Sequence, residues 1–341
     1  MNATMTTMTF RQALNDAIRL EMERDPNVIV LGEDVGRHGG ARGVTRGLWE
    51  RFGAERVIDT PISELAVSGA AVGLAFSGFR PVVENYIGDI IMFMADSLVT
   101  SASKLHFATG GRLDAPMVIR GADASRPDGG PHQDTLAAWF AHVPGLKVVV
   151  PATPADAKGL LISAIRDDNP VVFLEPFKLY DTEGPVPDGD YAVPIGKAEV
   201  RTEGGDVTLV AVGGCLPDAL AAHDRWRKQG ISVEVVDPRS LRPLDVATIR
   251  KSVGKTGRLV VVHEGWASYG IGSEIVACVS DGPELLLRAP AQRVGTLDTH
   301  VPASIVLSKA VLPNAERIDR AVAKVMEAGR QGAGRLSVGA T

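Results

Sequence analysis

Along residues 9–25 apolar side chains return every three or four positions. Ala13, Leu14, Ala17, Ile18 and Met22 share one helical face, and Thr9 and Gln12 stand where a capping box needs them. A first helix ending near Asp25 follows from that spacing. Beyond it the period changes. Short runs at 28–31, 81–83, 117–119, 147–150 and 171–174 are apolar and β-branched without polar alternation, and helical patterns at 63–77, 90–106 and 154–167 separate several of them. Strands apolar on both faces are strands covered on both faces, which predicts an α/β fold with a mostly parallel sheet. The second half repeats the rhythm, with strands at 207–212, 232–236 and 259–263. Its helices fall at 217–229, near 245–253, after Gly270, and at 314–327.

Between the halves the periodicity stops. Pro176, Pro185, Pro187 and Pro194 stand among Asp and Gly residues, the composition of a linker. The expected division is a first domain at 1–175, a linker at 176–195, a second domain at 196–328 and a frayed tail at 329–341. A length of 341 residues suits two such cores.

Composition changes the picture by exclusion. With 36 basic and 41 acidic residues spread along the chain there is no basic stripe to follow a phosphate backbone, so nucleic acid is not an expected partner. No apolar run reaches membrane-spanning length and residues 1–10 have no signal-like h-region, so no membrane association and a cytoplasmic location are expected. Cys215 and Cys278, with no CxxC pair, read as reduced thiols.

The chemistry concentrates in Asp59-Thr60-Pro61-Ile62-Ser63-Glu64, just before the small apolar run 65–73. Pro61 favours an extended Thr60, Ser63 reads as an N-cap, and Glu64 falls in the first turn, where a carboxylate meets the positive helix end. Glu64 is therefore either a dipole partner or a carboxylate set at a cleft, since Ala, Gly and Ser faces let a backbone or flat ligand come close. Glu33 follows the strand 28–31 and Gly32, where open α/β sheets gather ligands, or forms a solvated acidic turn. His132, in the glycine- and proline-rich loop 128–134, is a proton donor and acceptor near neutral pH or a solvent-facing loop residue. Tyr86 offers an aromatic face, and the helix end at 164–169 leaves carbonyls that a cap or a cation satisfies.

Several segments occur together in one order: 31–35 (LGEDV), 44–48 (VTRGL), 59–64 (DTPISE), 78–81 (GFRP), 144–149 (PGLKVV) and 236–245 (VDPRSLRPLD). In this the chain resembles the beta subunit of the thiamine-diphosphate-dependent component of 2-oxo acid dehydrogenase complexes, from about Thr9 to about Glu327. The resemblance implies a transketolase-like pyrimidine-binding domain followed by a transketolase C-terminal-like domain. It implies Glu64 as the carboxylate that activates the aminopyrimidine of thiamine diphosphate, with Glu33 as a second carboxylate near the cofactor. His132 becomes the substrate-side acid/base, although Gln133-Asp134 follow it where Ser-Gln is usual. Ile62, Tyr86 and Ile90 become ring contacts, Ile87 and Ile90 standing where Phe is frequent. A structural potassium-like ion is implied at Met117, Ala164, Ile165, Asp167 and Asn169, mainly through backbone carbonyls.

No Gly-Asp-Gly followed about thirty residues later by Asn is present, the segment through which thiamine enzymes hold Mg²⁺ and diphosphate. The implied partner is thus an alpha subunit carrying Mg²⁺, in an alpha2beta2 heterotetramer, with a lipoyl acyltransferase core as acyl acceptor and a small 2-oxo acid or acetoin as substrate. Two other readings stay open: a transketolase-like carboligase or transferase without a lipoyl partner, and a non-catalytic assembly subunit that keeps the fold.

Overall fold

The computed structural model describes residues 4–86, 88–123, 132–282, 284 and 286–336. The chain divides into two compact units. One runs to Ile195 and takes in Ser240–Pro243; the other holds Gly196–Arg239 and the chain from Leu244 onward.

The first unit opens with β1 (Met5–Thr9), α1 (Phe10–Arg24), β2 (Val28–Gly32), α2 (Leu48–Phe52) and β3 (Val57–Asp59). Then come α3 (Glu64–Phe76), β4 (Arg80–Asn85), a 3₁₀ segment (Gly88–Met94), a π-helical segment (Asp96–Ala102) and α4 (Ser103–Ala108). It closes with β5 (Val118–Asp123), α5 (Ala137–Ala141), β6 (Lys147–Val149), α6 (Pro154–Arg166), β7 (Val171–Pro176) and β8 (Glu183–Pro187). Six of these strands are parallel, in the order β6-β7-β5-β4-β2-β3. A seventh, β12 (Ser240–Arg242), pairs antiparallel with β6. The continuous apolar runs are the buried central strands, each valine or isoleucine contributing about 1.5–3 kcal/mol by leaving water.

Helix α1 begins as the sequence predicts. Gln12 N–H donates to Thr9 Oγ1 at 3.2 Å and Thr9 N–H to Gln12 Oε1 at 2.8 Å. Its apolar face is buried, and the buried Glu21 is held by Arg24 at 2.7 Å and by Arg166 of α6 at 2.6 Å. The pattern at 90–106, expected as one helix, is instead divided among the 3₁₀, π and α4 segments. The stretch 176–195, expected as a linker, clusters with the first unit: β8 pairs antiparallel with β1. Tyr191 and Val193 lie so close to Gly159 that an added Cβ there would sit 2.7 and 2.5 Å from them. Prolines here shape an edge rather than a tether.

In the second unit β9 (Glu199–Thr202), β10 (Val207–Ala211), β11 (Val233–Asp237), β13 (Leu259–Trp266) and β14 (Gln292–Thr296) form a sheet ordered β14-β13-β10-β11-β9, antiparallel only at β9. Helices α7 (Leu216–Arg227), α8 (Val246–Thr256), α9 (Ile271–Ser280), α10 (Ile305–Val311) and α11 (Ala315–Leu336) accompany it. The last helix continues past Glu327, into residues expected as tail. Among the described residues no helix is long and apolar enough to cross a membrane.

Candidate active site

The carboxyl ends of β2, β3 and β4 stop side by side, and α3 begins beside them. Between them lies a cleft lined by Gly32, Glu33, Thr60, Glu64, Glu84 and Tyr86, with Val67 and Met94 as apolar walls. About 260 Å³ of space lies among these residues, open solvent included, so they form an open recess and not an enclosed cavity.

Each acidic side chain arrives by a local device. Thr60 N–H donates to Gly32 O at 2.9 Å, and Gly36 N–H donates to Asp59 Oδ1 at 2.6 Å, so the turn after β3 is tied to the turn after β2. Gly32 has no room for a side chain, since a Cβ would lie 2.6 Å from Glu84 O. That close approach puts Glu33 at the sheet end. Glu64 opens α3; Ser63 stands at the cap position but its hydroxyl makes no capping bond, contrary to the sequence reading. Burial, then the negative charges of Asp34 and Glu64, holds the Glu33 carboxyl above the usual carboxylate range.

Beneath the cleft lies an ionic cluster that the sequence reading missed. Arg120 of β5, 1% exposed, donates to Glu84 Oε2 at 2.5 Å and to both oxygens of Glu175, at 2.6 and 2.7 Å. Tyr180 Oη donates to Glu175 Oε2 at 2.5 Å, and Ala41 N–H to Glu84 Oε1 at 3.0 Å. Burial pushes the Glu84 carboxyl up while Arg120 opposes it, and the Tyr180 hydroxyl is pushed well up by burial and by Glu175. A charge set directly after each of the apolar runs 117–119 and 171–174 was the available signal.

Of the residues predicted to bind the cofactor, Glu33, Glu64 and Tyr86 line one cleft. Ile62 does not: it is 74% exposed on the turn before α3, because the tied turn spends its inward positions on Thr60 and Ser63. Ile90 is half-buried in the 3₁₀ segment, outside the lining, and Ile87 lies outside the described residues. His132 is described; the preceding loop residues 128–131 are not. Its Nδ1 lies 4.0 Å from Asp89 Oδ1.

The expected cation turn is occupied by side chains. Arg80 Nη1 donates to Ile165 O and Asp167 O, both at 3.1 Å; Lys147 pairs with the Asp167 carboxylate, whose Oδ1 also accepts from Asn169 N–H at 2.9 Å. Ala164 O accepts from Asp167 N–H, and Met117 O from Val171 N–H. A monovalent ion would have to share oxygens that a fixed guanidinium already uses.

Comparison with known proteins decides the family. The transketolase pyrimidine-binding domain matches residues 6–182, and the transketolase C-terminal domain matches residues 196–318. The chain is 44% identical over 327 residues to the pyruvate dehydrogenase E1 component subunit beta of Bacillus subtilis, covering 95% of this chain and 100% of that protein. The chain belongs to the pyruvate dehydrogenase E1 beta-subunit family. A second member of that family, the mitochondrial subunit beta-2 of Oryza sativa, is also 44% identical, over 94% of this chain and 86% of its own length. A solved structure described as a split-gene transketolase, inactive beta4 tetramer, shares the fold with a TM-score of 0.77 at 23% identity, covering 94% of this chain and 99% of that one.

Thiamine diphosphate is the family's coenzyme, and the chemistry of the cleft lining suits its aminopyrimidine. Thr60 Oγ1 is buried there without a hydrogen-bond partner, beside two carboxylates and between apolar walls. That donor and acceptor set suits a flat heterocycle with ring nitrogens and an amino group.

Proposed function

We propose that this chain is the pyrimidine-binding subunit of a 2-oxo acid or acetoin dehydrogenase that works with an alpha subunit in an alpha2beta2 assembly and passes the acyl group to a lipoyl acyltransferase core. The observation that carries the reading is Glu64 lining one cleft with Glu33 and Tyr86, in a family of thiamine-dependent beta subunits. The alpha chain would bring Mg²⁺ and the diphosphate grip.

When bound, thiamine diphosphate supplies the carbon nucleophile and electron sink for cleavage beside a carbonyl. The chain's residues set that up. Glu64 holds a proton at the pyrimidine ring nitrogen, Tyr86 and Met94 keep the ring in place, and Thr60 gives its spare hydroxyl to a ring nitrogen or amino group. Glu33, kept readily protonated by burial and its acidic neighbours, relays protons at the cleft floor. His132 exchanges protons with the substrate.

The test is reconstitution with an alpha chain, Mg²⁺, thiamine diphosphate and a 2-oxo acid. An artificial electron acceptor reports decarboxylation and reductive acylation of a lipoyl domain reports transfer. Turnover with both supports the reading; turnover by the chain alone overturns the partner requirement. Glu64→Gln in the reconstituted enzyme should lose roughly 10²–10⁴-fold in kcat, and unchanged turnover would favour an assembly subunit.

One departure favours a second reading. Gln133-Asp134 after His132 differs from the usual pair of these dehydrogenases, which suits a transketolase-like carboligase. Such an enzyme would join carbonyl substrates and leave the lipoyl domain untouched.

A further inference from the structure

Asp89 lies in the 3₁₀ segment that follows the cleft wall at Tyr86, and its carboxylate is turned to the segment carrying His132. Its Oδ2 accepts from Gln133 N–H at 3.2 Å, and the N–H of Asp134 is directed at the same carboxylate. Its Oδ1 is 4.0 Å from His132 Nδ1. Both of these last two atoms are buried and neither has a hydrogen-bond partner.

A buried acceptor and a buried ring nitrogen facing each other unpaired are costly, and closing the gap between them removes both costs at once. At 4.0 Å they are not yet bonded. Catalytic contacts are commonly loose before substrate arrives and shorten in the complex. Burial raises the Asp89 carboxyl despite the opposing amides and His132, as expected of a carboxylate still short of its cation.

We propose that Asp89 is the positioning residue of His132: the carboxylate draws the ring proton to Nδ1, which faces Oδ1, and this fixes the ring's tautomer and leaves Nε2 to exchange protons with the substrate. The logic is that of a carboxylate orienting an acid/base histidine. The inference rests on the reading of His132 as the substrate-side acid/base. It assigns Asp89 no contact with substrate or coenzyme.

Asp89→Asn separates this role from simple anchoring of the loop. The asparagine oxygen can still accept from Gln133 N–H, but its amide group then offers a donor to Nδ1 and favours the other tautomer. In the full chain labelled with ¹⁵N-histidine, the His132 signals are those lost in His132→Gln. They should show the Nδ1–H form in the wild type and the Nε2–H form in Asp89→Asn. In the enzyme reconstituted with its alpha chain, the same change should lower kcat roughly 100-fold with little effect on KM. Asp89→Ala should lose both the tautomer bias and loop order.

An unchanged tautomer in Asp89→Asn would overturn the proposal. So would a variant whose loss lies wholly in KM, which would reduce Asp89 to a loop anchor. Because the tautomer is read without turnover, an inactive wild type would sink the assigned reaction while leaving the Asp89–His132 pairing independently tested.

Discussion

Glu33 and Glu64 share a small cleft, and that proximity has a thermodynamic sign. The folded chain holds the Glu33 proton more readily than the unfolded chain does, so ionising Glu33 costs folding energy at every pH above its raised pKa. Glu33→Gln should therefore raise the thermal midpoint at about pH 7 and leave it unchanged near pH 3, where the carboxyl is protonated in either state. His263 behaves oppositely. Buried within β13, with neither ring nitrogen bonded, it is pushed down from 6.5 to about 4 by burial and by Arg293. The folded chain keeps it neutral, so its contribution is complete above pH 6.5 and drains away as the pH falls toward 4, by about 1.4 kcal/mol per pH unit. His263→Phe should flatten a urea-unfolding series across that window. That Glu33, Glu64 and Tyr86 belong to one cleft was expected from the resemblance, the local turn chemistry alone leaving Glu33 and Glu64 open to plainer readings. Glu84 and Thr60 were not legible, since a strand neighbour decides their burial and pairing.

Among the elements, the central strands were legible because a parallel strand buried on both faces writes itself as a continuous apolar run. Three-residue strands such as β3 and β12 carry no such record. The stretch after β4 shows the opposite failure: its apolar spacing reads as one helix, yet it is broken into three types of turn. Its π-helical part is pinned by Ser97 Oγ, which accepts from Ser68 Oγ of α3 at 3.0 Å, a contact no periodicity reveals. Helix α3 exposes Ala66, Gly69, Ala70 and Gly73. A Cβ at Gly73 would meet nothing within 4 Å, so Gly73→Ala should stabilise the isolated chain by about 0.5–1 kcal/mol in thermal unfolding. If the proposed alpha chain packs on this face, the same change should weaken assembly in sedimentation. Arg120 is the reverse case: Arg120→Leu strands Glu84 and Glu175 without their cation and should cost about 3–5 kcal/mol in urea unfolding.

At the scale of the whole molecule, two repeats of the α/β rhythm gave the two units, while the proline-rich stretch misled because composition does not say whether a segment has a sheet edge to join. The units are not consecutive lengths of chain. After leaving the first at Ile195, the polypeptide builds part of the second and then lays Ser240–Arg242 against β6, with Arg242 Nη1 donating to Ala141 O at 2.9 Å. A fragment ending at Ile195 should therefore expose the backbone of β6 and aggregate, visible in light scattering, unless residues 240–243 are supplied. The same detour bears on heredity. A gene cut at the apparent border would give one product a sheet lacking its last member and the other a short strand with no partner to lie against, so recombination has no clean seam here.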